Sequence, residues 1–184
     1  MALATTTELE LILLGKKIVH IGYFNVNDNF VVFDPKGMAI VDGGITIQCE
    51  DVSLSIAWNE EKELFDVTTE PIETLLQNLD FYQIPREDIP MGSYLTGQEI
   101  EEMQVQYNWY QELDDDLELT GPKKYIIEEL VIQFHSKDVL QIATIDYSIE
   151  NKTLTNPTFN CQGALLVTLN NRIPIEGANN GENG

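Results

Sequence analysis

Ile45-Thr46-Ile47-Gln48-Cys49-Glu50-Asp51-Val52-Ser53-Leu54-Ser55-Ile56-Ala57 alternates apolar and polar side chains, breaks at a short polar turn and resumes the alternation. Side chains along a strand point to opposite faces with period two. Ile45, Ile47 and Cys49 therefore share one face, with Leu54, Ile56 and Trp58 inward on the partner strand. The pattern returns, loosely rewritten, at Leu130–Ala143, where Leu-Val-Ile-Gln-Phe is followed by His-Ser-Lys-Asp and Val-Leu-Gln-Ile-Ala. Each stretch predicts a β-hairpin, and the chain is expected to be two versions of one unit built around it.

An offset of 86 residues relates Leu54 to Leu140, Ile56 to Ile142 and Ala57 to Ala143, and it also relates Thr69-Glu-Pro71 to Thr155-Asn-Pro157. One offset holding across separate features favours duplication over chance alternation. The copy is imperfect, because Phe159–Gly163 lacks the helical stripe described next.

In the first half, 1–84, residues 1–8 read as a frayed start and Leu9–Leu14 as a strand or a turn of helix ended by Gly15. Ile18–Val26 alternates like a strand. Asn25–Asn29 has turn chemistry, Phe30–Phe33 is apolar, Asp34-Pro-Lys-Gly37 is a strong turn signal and Met38–Val41 returns as a strand. A helix is expected over 71–80. Thr68 or Thr69 can cap it, Pro71 suits its first turn, and Ile72, Leu75, Leu76 and Leu79 recur at helical spacing. Residues 85–94, with Pro85, Pro90 and Gly92, read as a connector.

The second half, 95–176, opens with Leu95–Ile100, an echo of Leu13–Ile18. Met103, Val105, Tyr107 and Trp109 alternate as a strand, although Thr96 with Glu99 also fits a capping box opening a helix. In Val139–Ile149 the inward phase slips near Ala143, which suggests a β-bulge. Ala164–Leu169 reads as a closing strand and 177–184 as a disordered tail. The fold class that follows is α+β, predominantly antiparallel β. One compact domain would hold two pseudo-repeated β-meander halves, with one or two short helices packed on the sheet.

Of the 184 residues, 43% are hydrophobic and 9% aromatic, enough to bury a core. The charge is the outlier, with 31 acidic residues against 10 basic ones and a net charge of −21. Such a surface repels phosphate backbones and anionic lipid, which argues against nucleic-acid and membrane-surface binding. Two cysteines, Cys49 and Cys161, make no disulfide framework and no zinc motif. Leu9–Leu14 is too short for a signal or membrane segment, so a soluble cytoplasmic protein is expected. No nucleophile–base signature accompanies His20 or His135, so no catalytic residue and no cofactor are assigned.

The densest functional hint lies in the second half. No basic residue occurs between Arg86 and Lys123, while Glu112, Asp114, Asp115, Asp116 and Glu118 accumulate beside Tyr107, Trp109 and Tyr110. Aromatics give anchoring area and cation–π contacts, and carboxylates pair with Lys and Arg. The set fits a surface for a basic protein, and an immunity- or antitoxin-like inhibitor of a basic toxin is one concrete form. The alternative is a calcium- or small-ligand-binding β domain, with Asp114, Asp116 and Glu118 at the alternate spacing of calcium loops. Leu119 and Gly121 depart from that loop's pattern.

Overall fold

The computed structural model describes residues 6–26, 31–34, 37–113, 119–151 and 153–176. Helix α1 (Thr6–Leu13) is followed by strands β1 (Ile18–Asn25), β2 (Val31–Asp34), β3 (Met38–Val41), β4 (Gly44–Cys49), β5 (Ser53–Asn59) and β6 (Leu64–Thr68). Beyond a 3-10 turn at Ile72–Thr74 come β7 (Tyr82–Gln83), the one-turn helix α2 (Met91–Tyr94), β8 (Ile100–Leu113) and β9 (Leu119–Phe134). Strands β10 (Val139–Glu150), β11 (Thr153–Phe159) and β12 (Ala164–Leu169) complete the order. The β-rich class with short helices is therefore observed. The 177–184 tail lies outside the described residues.

Among the described residues the strands form two antiparallel sheets. Sheet I runs β6-β5-β4-β1-β7 and sheet II runs β2-β3-β12-β10-β9-β8, with β11 added on β10. The two hairpins that open the sequence reading fall in different sheets. In sheet I, Ile45 pairs with Ile56 and Ile47 with Leu54. In sheet II, Leu130 pairs with Ile142 and Ile132 with Leu140. All eight side chains lie in one continuous apolar cluster that draws on both sheets. Each such side chain contributes about 1.5–3 kcal/mol on burial, so this shared interior holds the sheets face to face. Leu9 and Leu13 of α1 join it, as do Met91 in α2 and Leu95 just beyond.

The halves otherwise differ in plan. β2 and β3 leave the first half to pair on β12 in sheet II. Thr69-Glu-Pro71 leads into the 3-10 turn, whereas Thr155-Asn-Pro157 lies within β11.

Two sequence expectations are corrected. The helix over 71–80 is absent: a 3-10 turn at Ile72–Thr74 is followed by further turns, held by bonds such as Leu75 N–H to Ile72 C=O and Leu79 N–H to Leu76 C=O. Thr68 Oγ1 accepts a bond from Glu70 N–H ahead of Pro71. The apolar stripe was sound but its helical interpretation was not. Ile72 and Leu76 are buried, with Leu75 and Leu79 beside them, on Ala57 and Phe24 across the outer face of sheet I. Tertiary burial of the stripe suffices without a continuous helix. The bulge near Ala143 is also absent, since β10 pairs with β12 in unbroken register from Leu140 to Ile145. The phase changes because both faces of β10 are buried. Leu140 and Ile142 face the shared core, while Ala143 and Ile145 sit in a second cluster with Ile40 and Leu166, flanked by Ile173 and Ile175. The register shift in β10 lies further on, between Asp146 and Ser148 against β11.

The segment 170–176 is latched over that outer face. Arg172 donates two bonds to the Glu129 carboxylate at 3.0 and 2.6 Å. Gln141, fully buried, donates to Glu129 and to the Ile173 carbonyl, and accepts from Thr168 Oγ1 and Ile173 N–H. Gln141 thus joins the polar groups of three strands to the strap, with no bond left to water.

The turn from β11 to β12 passes so close to β10 that a Cβ on Gly163 would sit 1.9 Å from the Ile145 carbonyl oxygen. Gly163→Ala must therefore push two backbones apart, and it is expected to lose about 1–3 kcal/mol, read as a lower urea midpoint at unchanged slope.

Candidate functional site

The aromatic and acidic residues picked out in the sequence lie on the β8–β9 hairpin. β8 pairs with β9 from Ile100/Phe134 to Leu113/Leu119, but β10 pairs with β9 only over Glu129–Gln133. From Tyr107/Ile127 outward the described strands therefore form a two-stranded ribbon.

The alternating stripe on β8 runs from core to solvent along this ribbon. Met103 is buried, Val105 and Tyr107 pack against the core cluster, and Trp109 is 38% exposed. Tyr110 pairs through its backbone with Lys124, and Glu112 with Thr120. Asp114, Asp115, Asp116 and Glu118 lie outside the described residues. In sequence, β9 follows with Lys123 and Lys124, and the backbone of Lys124 pairs with Tyr110.

One residue in the ribbon was not anticipated. Gln106 pairs with Glu129 and Tyr107 with Ile127, so Glu128 is an extra residue in β9, a β-bulge. Its side chain is buried and accepts from Gln106 Nε2 at 3.0 Å and Asn108 Nδ2 at 3.1 Å. Two amides fix the carboxylate where the ribbon leaves the sheet. The polar spacing Gln106-x-Asn108 was the available signal.

Among the described residues no group of three or more His, Cys, Asp or Glu is placed to hold a metal ion. His135 is exposed at the β9–β10 turn, with Nε2 3.3 Å from Glu99 Oε1. Neighbouring Glu101 is held ionised below the usual carboxylate range, first by the Lys137 ammonium at 2.7 Å and then by Gln133. Cys49 is buried as its strand phase implied, and burial pushes its thiol up to about 11, which keeps it protonated and unreactive.

A second feature, also missed in the sequence, is a groove of about 820 Å³ on the outer face of sheet I. Its floor is two rows of outward side chains set by strand register. One row is Ser55, Thr46 and Gly22, and the other is Ser53, Gln48 and His20. The small first row makes the depression. A Cβ on Gly22 would lie 3.1 Å from both Gln83 Nε2 and Phe24 Cε2. Phe24 and Ile72 wall one end, and Glu50, Asp51 and Val52 the other. Thr46 and Ser55 share a hydroxyl bond of 2.9 Å, and Gln83 Nε2 lies 3.1 Å from His20 Nε2. Burial, then the charge of Arg86, lowers the His20 pKa below 6.5, so the ring is neutral at pH 7 and can accept from Gln83. A smaller depression of about 360 Å³ places Asp42 and Asp80 beside Trp58.

These features define an antiparallel two-sheet β protein with an aromatic ribbon at one edge of sheet II and a polar groove on sheet I. No family model matches the chain, and neither a curated protein nor a solved structure matches it. No helix among the described residues is long and apolar enough to cross a membrane.

If Glu128 fixes the ribbon, Glu128→Ala removes the carboxylate that Gln106 and Asn108 share and is expected to cost about 1–3 kcal/mol. Glu128→Gln, which keeps one acceptor oxygen, should cost less. Hydrogen exchange at 107–113 and 119–127 should quicken in the first variant ahead of exchange in β4 and β5.

Proposed function

We propose that the chain is a non-enzymatic, cytoplasmic protein-binding module whose partner is a basic protein, in the manner of an immunity- or antitoxin-like inhibitor of a basic toxin. The observation that carries this reading is Trp109, 38% exposed on a two-stranded ribbon whose sequence continues into Asp114–Glu118. A large aromatic held on paired strands is an anchor ordered before binding, which lowers the cost of association. The net charge of −21 supports it from a second side, since a field of that sign steers a cationic partner inward. Tyr107, Tyr110, Glu112, Asp114, Asp115, Asp116 and Glu118 are the contacts assigned with Trp109. The matched registers of the two core hairpins support the further reading that they descend from one duplicated unit. A small-ligand-binding role is the alternative, and the sheet I groove is what favours it.

Capture of a partner from native lysate, followed by rate measurements on the purified pair, tests the proposal. Going from 0.1 M to 1 M salt shortens the screening length from about 10 Å to about 3 Å, so association should slow by about tenfold or more. Neutralising Asp114, Asp115, Asp116 and Glu118 together should act on association, and Trp109→Ala on dissociation. Recovery of no partner at low salt, or a pair indifferent to salt and to both variants, would overturn it.

A further inference from the structure

We infer that the sheet I groove is a binding site for a neutral polyhydroxylated ligand, a saccharide of one to a few rings. This rests on the small-ligand alternative for the groove and is independent of the basic-partner reading, because no groove residue lies on the ribbon.

The volume of about 820 Å³ falls within the range of small-molecule sites, roughly 300–1,000 Å³. The chemistry of the lining selects among ligands. No Lys or Arg lines the groove, and carboxylates stand at its ends in Glu50, Asp51 and Glu73. Asp51 holds Lys16 at 2.6 Å, which occupies the nearest ammonium. A phosphate or carboxylate ligand would find no cation in the lining and would face Glu50 and Glu73, with Arg86 acting only from outside it, so the electrostatics disfavour anions.

An apolar ligand fares no better. Ser53, Thr46, Gln48, His20 and Gln83 crowd the floor over the buried Ser55, and covering them with hydrocarbon would remove their exposed polar atoms from water without replacement. A sugar can bond these groups on the side that faces solvent. Its hydroxyls both donate and accept, as the Thr46–Ser55 pair and the His20–Gln83 pair require. Gln48 adds an amide with two donors and an acceptor. The C–H face of a pyranose needs an apolar wall, and Phe24 with Pro71, backed by the buried Ile72, supplies one beside the polar floor.

The groove is also built before any ligand arrives. The floor residues sit on paired strands whose opposite side is the shared core, and the Phe24 ring packs on Phe81 at 6.2 Å between centroids. Gly22 is the one floor position without a side chain, and the Phe24 ring and the Gln83 amide close over it.

The test is a titration of the ¹⁵N-labelled full chain with maltotriose, cellotriose and chitotriose at millimolar concentrations, with inorganic phosphate as a separate arm. At least one sugar is expected to shift the backbone amides of Gly22, Thr46, Gln48 and Ser55, and phosphate to leave them in place. Gln48→Ala should weaken the response by about tenfold, the equivalent of 1.4 kcal/mol, and Gly22→Leu should abolish it. Sheet II amides report whether each variant is folded, and Gln48→Ala carries the test if Gly22→Leu is not. Silence with all three sugars, an equal response to phosphate, or unchanged binding by folded Gln48→Ala would overturn the inference.

Discussion

The burial of two inward aliphatic faces against each other is the interaction on which the rest depends. A sheet with one greasy side cannot stand alone in water, and here each sheet supplies the other's cover. Ile45, Ile47, Leu54 and Ile56 from sheet I share one interior with Leu130, Ile132, Leu140 and Ile142 from sheet II. Because strands alternate, that choice of inside also fixes what faces out. The outward set of β1, β4 and β5 becomes the groove, and the strand ends beyond the core become the ribbon. Both candidate surfaces are consequences of one packing decision.

Outward faces of the sheets are covered only in part. The turns at 70–81 bury Ala57 and its neighbours on sheet I, and the strap at 170–176 buries Ile40, Ala143 and Ile145 on sheet II. The first cover stops short of Thr46, Gln48 and His20, and where it stops the groove begins. The second is secured by Arg172 on Glu129 and by Gln141, which turns a sheet face into a third layer. Asp138 anchors the start of that strap. Bonds from Ser136, Asn170 and Gln98 hold its carboxyl below the usual range. Its contribution to stability is thus present at neutral pH and fades as pH drops through and below about 4.

How much of this could be read from residues depends on how many faces of each element are buried. The hairpin at Ile45–Ala57 was legible because polar residues mark its outer side. Near Ala143 the same logic failed, since a strand covered on both faces loses its alternation and imitates a bulge. At Ile72–Leu79 the apolar spacing was legible but the backbone was not, because a stripe pressed onto a sheet can be delivered by successive turns. Glu128 was hidden because Ile126, Ile127, Glu128 and Glu129 are all buried, which leaves no clean alternation for its bulge to interrupt. The groove left a signal that went unused. In a chain of 41 charged residues counted as Lys, Arg, Asp and Glu, the outward positions His20, Gly22 and Phe24 of β1, Thr46 and Gln48 of β4, and Ser53 and Ser55 of β5 carry no such charge. That uncharged patch, bounded by Asp66 on β6 and by Glu50, Asp51 and Glu73, is the floor of the groove.

Native-state hydrogen exchange across a denaturant series measures the shared interior directly. Amides in β4–β5 and in Glu129–Ala143 are expected to converge on one opening free energy with one denaturant slope, because neither hairpin can open without exposing the other. If the hairpin of one sheet exchanged through an opening of markedly lower free energy while the other stayed protected, the two faces would not be sustaining each other, and the account would be contradicted.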